Sequence, residues 1–159
     1  MKLYHGSNVE VHYPIIKENL RALDFGAGFY LTSSRQQAER WAKTVTKRRN
    51  TEVAILNIYD IDEKKLDIME ILKFETANAE WLDFVVANRK EQILSNTYDI
   101  VIGPVANDST LPVIDDYMDG IYTKEEAVKR LLPQNLTDQY AFLTVKAIAL
   151  LKFEGSEVL

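Results

Sequence analysis

The chain alternates short apolar runs with charged or glycine-bearing breaks, and the period of each run marks it as strand or helix. Leu3-Tyr4-His5 reads as a short strand that breaks at Gly6-Ser7-Asn8. Val9, Val11 and Tyr13 alternate with polar residues, which predicts a second extended piece before Pro14. Residues 15 to 24 fit neither period. The bend Leu23-Asp24-Phe25-Gly26-Ala27-Gly28 then leads into a short strand, Phe29-Tyr30-Leu31. Its glycines allow backbone conformations, or a close approach to a ligand, that a side chain resists. The bend is either a tight loop between elements or one wall of a pocket.

The clearest helix follows. Ser33 or Ser34 is its N-cap, with Gln36 or Gln37 three residues on, as in a capping box. Ala38, Trp41, Ala42 and Val45 recur at helical spacing and predict one apolar face. The helix ends in Lys47-Arg48-Arg49, the sign of charge that suits a C-terminal dipole. With Lys43 these residues form the dense basic cluster of the chain. It is either a solvated helix end or a patch that touches phosphate.

Val53 to Tyr59 is β-rich and apolar on both faces, which predicts a central strand. Asp60 to Glu70 is charged and expected to be solvated, and Ile68 to Phe74 reads as extended. Asn78 caps a helix running to about Lys90, with Trp81, Phe84, Val85 and Asn88 on one face. Asn88 there is either a buried residue with a structural partner or a pocket residue. Tyr98 to Ile102 is a second strong strand, stopped by Gly103-Pro104, and Val105 to Thr110 is a loop whose side chains bond to backbone. A helix with Pro112 in its first turn and Gly120 past its end comes next. Thr123 opens another helix through Leu132, closed by Pro133. Gln139 to Leu143 alternates as a strand. A short helix from Thr144 and an extended piece, Leu151 to Phe153, finish the chain. Strands and helices mix without regular β-α-β alternation, which predicts an α+β fold. With 159 residues and no linker or repeat, one domain spanning 1–159 is expected.

Composition removes several chemistries. An apolar fraction of 47% beside 27% charged residues is that of an ordinary globular chain with a core. The net charge of -5 argues against general nucleic-acid affinity but leaves room for a local basic patch. The absence of cysteine excludes disulfides, thiolate metal sites and cysteine nucleophiles. The first residues form no signal-peptide run, and no stretch approaches the ~18 apolar residues of a membrane span. A cytoplasmic location and no membrane partner are therefore expected. The two histidines, His5 and His12, form no H-x-x-x-H pair, so no metal site is expected. Asp115, Asp116 and Asp119 lack calcium-loop spacing. A P-loop, a complete dinucleotide fingerprint and a nucleophile elbow are all missing.

What remains is an ordered set: Tyr4-His5-Gly6-Ser7, then Gly26-Ala27-Gly28-Phe29-Tyr30-Leu31-Thr32, then Gln139-Tyr140. It resembles the ADP-ribosyltransferase superfamily, and most closely its histidine-tyrosine-glutamate branch of poly(ADP-ribose) polymerases and diphtheria-type toxins. Taken over most of its length, through Trp81 to Arg89 and Tyr98 to Asp108 as well, the chain resembles a small bacterial family placed in that superfamily. The resemblance implies a split β-sheet core flanked by helices, with NAD as substrate and no metal. By the same resemblance His5 would hydrogen-bond a ribose 2′-hydroxyl, and the Gly6 backbone would pair with the nicotinamide amide. Tyr30 would stack on the nicotinamide ring. Ser7, Gly28 and Thr32 would lie beside the ligand, with Asn107 and Asp108 on the loop after the second strong strand. Such transfer passes through an oxocarbenium-like cation, as glycoside hydrolysis does.

Gln139 is the departure, because that branch commonly has glutamate there. One unit charge at ~4 Å is worth about 4 kcal/mol at an effective dielectric near 20, or roughly a thousandfold in rate. Either the enzyme is slow, or Asp99 or Asp108 supplies the charge, or the site only binds. The reading is a mono-ADP-ribosyltransferase, in a toxin-like role, that modifies an intracellular protein or nucleic acid. A small antitoxin-like protein would be a partner. The alternatives are a non-catalytic module that binds NAD, ADP-ribose or a protein, and an NAD glycohydrolase.

Overall fold

The strong apolar runs become the strands of two sheets in an α+β arrangement. A computed structural model of the protein describes residues 1–17, 24–90 and 97–159. Much of the ambiguous stretch 15–24, and Leu23 of the bend, lie outside the described residues. In chain order the elements are β1 (Lys2–Ser7), β2 (Phe29–Leu31), α1 (Arg35–Arg48), β3 (Ile55–Asp60), β4 (Ile71–Lys73) and α2 (Ala79–Arg89). They continue with β5 (Ile100–Pro104), α3 (Leu111–Met118), α4 (Lys124–Leu131), β6 (Asp138–Phe142), α5 (Val145–Ile148) and β7 (Lys152–Val158).

Among the described residues one sheet has the order β1-β3-β7 and the other β2-β6-β5-β4. The run read as a central strand, β3, lies inside its sheet, and the second strong strand, β5, lies inside the other, since both have apolar faces. One core fills the space between the sheets, with Leu3, Phe29, Leu31, Tyr59, Ile100 and Phe142. A second lies under the helices, where Trp81, Val85, Ile114 and Leu131 pack on Val101 and Ala141. Trp81 is fully buried, and its indole N–H donates to the Pro104 carbonyl at 3.0 Å. Burial of each such side chain stabilises the fold by about 1.5–3 kcal/mol.

The helix starts follow the capping logic of the sequence. Ser34, Asn78, Thr123 and Thr144 each accept a backbone N–H from the first turn. Helix α1 rests on β1 through small residues. A Cβ built on Gly6 would lie 2.1 Å from the Ala38 carbonyl oxygen and 2.6 Å from the Ala42 nitrogen. Gly6 is therefore glycine here because a helix backbone occupies the space of its side chain.

Three expectations change. Val9 to Tyr13 forms no strand; the Asn57 amide bonds the Val11 N–H (2.8 Å) and the Val9 carbonyl (3.1 Å), and the Tyr59 hydroxyl donates to the Val11 carbonyl (2.6 Å). Side chains of β3 thus take the backbone groups that a ladder would have used. The charged stretch after β3 is largely exposed, as expected, and carries a 3₁₀ turn, Glu63–Ile68, capped by Asp62. Trp41 is not on the buried face of α1: it is 45% exposed, with the Arg48 guanidinium 5.3 Å from its ring centre. The final extended piece runs on to Val158, pairing along the whole of β3.

Candidate functional site

The two sheets meet where β1 passes β2, and they touch there through one antiparallel bridge. Tyr4 and Thr32 exchange both backbone hydrogen bonds, each 2.9 Å. On its other edge β1 pairs with β3, with Tyr4 opposite Ile58 and Gly6 opposite Leu56. Ladder bonds alternate between the edges of an antiparallel strand. Because Tyr4 turns both its groups toward Thr32, Gly6 turns its N–H and C=O the same way. Among the described residues these two groups have no hydrogen-bond partner, although Gly6 is buried. A buried, unpaired backbone donor is rare in folded proteins. Continuing the bridge register sets Gly6 opposite Tyr30, in the split that opens between the strands.

His5 reaches across this split. Its Nδ1 lies 2.7 Å from the Tyr30 carbonyl oxygen. A carbonyl only accepts, so Nδ1 carries the proton. Burial pushes the imidazole down to about 4, against a smaller upward pull from that hydrogen bond. At neutral pH the ring is therefore uncharged and Nε2 is left as an acceptor. The ring packs on Phe29, with centroids 4.3 Å apart.

Tyr30 closes the glycine bend. Its hydroxyl accepts from the Phe25 N–H at 3.0 Å and donates to the Gly26 carbonyl at 2.6 Å. Burial raises its pKa, so the phenol stays protonated. The half-buried ring is thus fixed at its far end. Gly26 needs glycine because its φ is 101°. Gly28 needs it because a Cβ would lie 2.7 Å from the Phe142 carbonyl oxygen. Asp24 ties the bend to α2 through Arg89 at 2.8 Å.

Gln139 sits on β6 opposite Gly103 of β5. It is 9% exposed, and its Nε2 has no hydrogen-bond partner. Tyr30 pairs with Ala141, two residues along β6 from Gln139. Strand alternation therefore puts Tyr30 and Gln139 on one face as diagonal neighbours. It puts His5 on the other face with Phe29 and Leu31. The structure brings His5 to Tyr30 through the main-chain carbonyl, and Gln139 to Tyr30 through a shared face. It does not gather the three side chains on one face.

The other candidates are held by local bonds. Thr32 donates its hydroxyl to Asp138 at 3.0 Å. Ser7 is buried, and its hydroxyl faces the Val9 N–H at 3.4 Å. The Asn107 carboxamide accepts from the Ser109 N–H and hydroxyl and from the Thr110 N–H, a turn that leads into α3. Asp108 is exposed on that turn. Asp99 accepts from the Glu70 N–H and the Thr144 hydroxyl, and these bonds lower its pKa, the backbone bond most. It flanks the end of β5 remote from Gly103, so it does not supply a charge beside Gln139.

Asp138 is the residue the sequence reading missed. Its carboxylate accepts from the Thr32 hydroxyl, from the Ser33 N–H at 2.9 Å and from the Ser33 hydroxyl. It clamps the β2–α1 junction to the start of β6, and so fixes Tyr30 relative to Gln139. The signal was the three-residue run of hydroxyls at Thr32-Ser33-Ser34, which needs an acceptor once the helix cap takes only Ser34. A cavity of 240 Å³ opens beside it, lined by Gly103, Pro104, Thr137, Asp138 and Tyr140. A second cavity, of 350 Å³, lies at His12, Tyr13 and Phe153. Neither is lined by His5, Tyr30 or Gln139.

Among the described residues no group of three or more histidine, cysteine, aspartate or glutamate side chains is placed to hold a metal ion. No described helix is long and apolar enough to cross a membrane. A family model with the description "Protein of unknown function (DUF3990)" matches residues 1–153. No curated protein and no solved structure matches the chain.

Proposed function

We propose that the chain, which belongs to the DUF3990 family of proteins of unknown function, is an NAD-dependent mono-ADP-ribosyltransferase with a split-sheet core of the ADP-ribosyltransferase kind. The observation that carries this reading is the open edge of Gly6. An N–H and a C=O side by side, buried and unpaired, complement a carboxamide, which brings one acceptor and one donor in the same plane. Nicotinamide presents such a group.

The neighbouring residues supply the rest. Nε2 of neutral His5 accepts a ribose hydroxyl. The ring of Tyr30, anchored at its hydroxyl and packed on one side against the helix-side core, would stack on the nicotinamide with its other side, worth about 0.5–1.5 kcal/mol beyond its burial. The unbonded end of Gln139 is satisfied by a hydroxyl of the ligand. Ser7, Gly28 and Thr32 shape the wall, and the loop of Asn107 and Asp108 closes the far side. The reaction breaks the bond between ribose carbon and nicotinamide nitrogen, the leaving base takes the bonding pair, and the acceptor's nucleophile attacks the ribose. An uncharged Gln139 favours the cation less than a carboxylate would, so transfer is slow and single. A toxin-like role with an antitoxin-like partner, in the cytoplasm, fits a slow enzyme whose target lies in the same cell.

A binding module without catalysis is favoured by one observation: Asp99 flanks the end of β5 remote from Gln139 and does not replace the missing charge there. Incubation with adenylate-labelled NAD and cell lysate decides. Transfer predicts label on a macromolecule, lost in His5→Ala. Free labelled ADP-ribose alone indicates hydrolysis. Binding without nicotinamide release leaves only the module, and no NAD binding at all refutes the reading.

A further inference from the structure

Helix α1 carries a second feature that the split does not use. Its inward face is Ala38, Ala42 and Val45. The opposite half of the helix, at 100° per residue, presents Gln36, Gln37, Arg40, Lys43, Thr44, Lys47 and Arg48, with Trp41 at its margin. The acid of the helix, Glu39, lies at the edge of that half, as Arg48 does on the other side. Glu39, the one acid of α1, is taken by Arg35 at 2.9 Å. Among the described residues no carboxylate pairs with Arg40, Lys43, Lys47 or Arg48. In a chain of net charge -5 this is a concentrated exception.

Trp41 decides what kind of anion fits. It is 45% exposed, and Arg48 lies over its ring at 5.3 Å. Of its neighbours one turn away, Gln37 and Thr44 are polar, while Ala38 and Val45 are buried and leave no exposed apolar patch beside it. A protein partner would need an apolar patch to form the dry centre of an interface, and charged residues are depleted from such centres. A lone exposed aromatic among cations is instead the arrangement that stacks a base while the cations track a phosphate backbone. From Arg40 to Arg48 the stripe is about 12 Å long, at 1.5 Å per residue, which spans a few nucleotides.

We infer that the solvent face of α1 binds single-stranded nucleic acid, with Arg40, Lys43, Lys47 and Arg48 on the phosphates and Trp41 against a base. This holds independently of the NAD reading, since none of these residues lines the β1–β2 split. If both hold, the bound strand is the nucleic-acid acceptor class for transfer.

The test is titration of the full chain with a labelled ten-nucleotide single-stranded RNA, read by anisotropy and tryptophan quenching across a salt series. Four phosphate contacts predict a log–log salt slope of about -3, at roughly 0.7 per contact. The double variant Lys43→Ala/Lys47→Ala should flatten the slope by about 1.4. Trp41→Ala should weaken binding about fivefold to a hundredfold and abolish the quenching, because the other tryptophan, Trp81, is buried. Lys129→Ala, an exposed lysine on α4, should change neither. No binding, a slope unmoved by the double variant, or equal binding of a poly-glutamate peptide or an anionic vesicle would each overturn the proposal. Equal affinity for duplex RNA without quenching would overturn it as well. Circular dichroism of each variant confirms that the helix is intact.

Discussion

Replacing Gln139 by leucine should make the free protein more stable while removing its affinity for ligand. One end of the amide is buried with nothing to bond, and such a group costs about 1–3 kcal/mol of desolvation. Leucine has nearly the same volume and carries no polar atom, so the space stays filled and the penalty disappears. The other amide end makes no hydrogen bond that would be lost. A net stabilisation of about 1–2 kcal/mol follows, or a rise in Tm of roughly 2–8 °C for a domain of this size. Urea melts followed by circular dichroism give the free energy, and an unchanged m value shows that the compactness of the end states has not shifted. Calorimetric titration with a non-hydrolysable NAD analogue gives the binding side. A loss of stability in Gln139→Leu would refute the reasoning, because the amide would then be bonded in the free protein and Gln139 would be a structural residue.

Three further outcomes rest on other parts of the molecule. Gly6→Ala should destabilise the fold by on the order of 3 kcal/mol, because the added carbon meets helix backbone at 2.1 Å and 2.6 Å rather than a side chain that can move; a urea midpoint within error of wild type would contradict the packing of α1 on β1. His5 should impose a pH dependence of known sign: burial holds its folded pKa at about 4, below the 6.5 of a free imidazole, so between those values the unfolded chain binds the proton and the folded chain does not. Stability should therefore fall on acidification from pH 6.5 to 4, by on the order of 3 kcal/mol more than in His5→Asn, with parallel pH profiles for the two proteins as the contrary result. Asp138→Asn should cost about 2 kcal/mol, since an amide cannot accept from all three donors at Thr32 and Ser33; an unchanged melt would show that the clamp is dispensable.

Much of the fold was legible because local signals and tertiary demands agree. Ser34, Asn78, Thr123 and Thr144 cap helices as their side chains suggest, and both β-branched runs lie inside their sheets rather than at an edge. The readings that changed are those where a distant side chain outbids the local pattern. Val9 to Tyr13 alternates like a strand, but Asn57 and Tyr59 take its backbone groups first. Trp41 fits an apolar helical period, but the neighbouring strand contacts the alanine side of α1 and leaves the indole half outside. β7 was read as three residues because Gly155 and Ser156 carry no strand signal and its partners lie nearly a hundred residues away. In the site, Tyr30, Gly28 and His5 were visible as residue types, whereas Asp138 was not, because its role depends on facing Ser33 across a strand pair. The unbonded edge of Gly6 was beyond sequence reading altogether: it follows from where a single bridge ends.

The most direct test of the account is the rate of nicotinamide release from NAD by wild type and by Gln139→Glu, measured in the presence of an acceptor-containing lysate. If the open Gly6 edge, His5 and Gln139 form an ADP-ribose transfer site, the glutamate variant should release nicotinamide faster, by up to roughly a thousandfold from a full unit charge at ~4 Å, and the gain should vanish in the His5→Ala background. Equal rates in wild type and Gln139→Glu, with or without His5, would place Gln139 outside the chemistry and contradict the central claim.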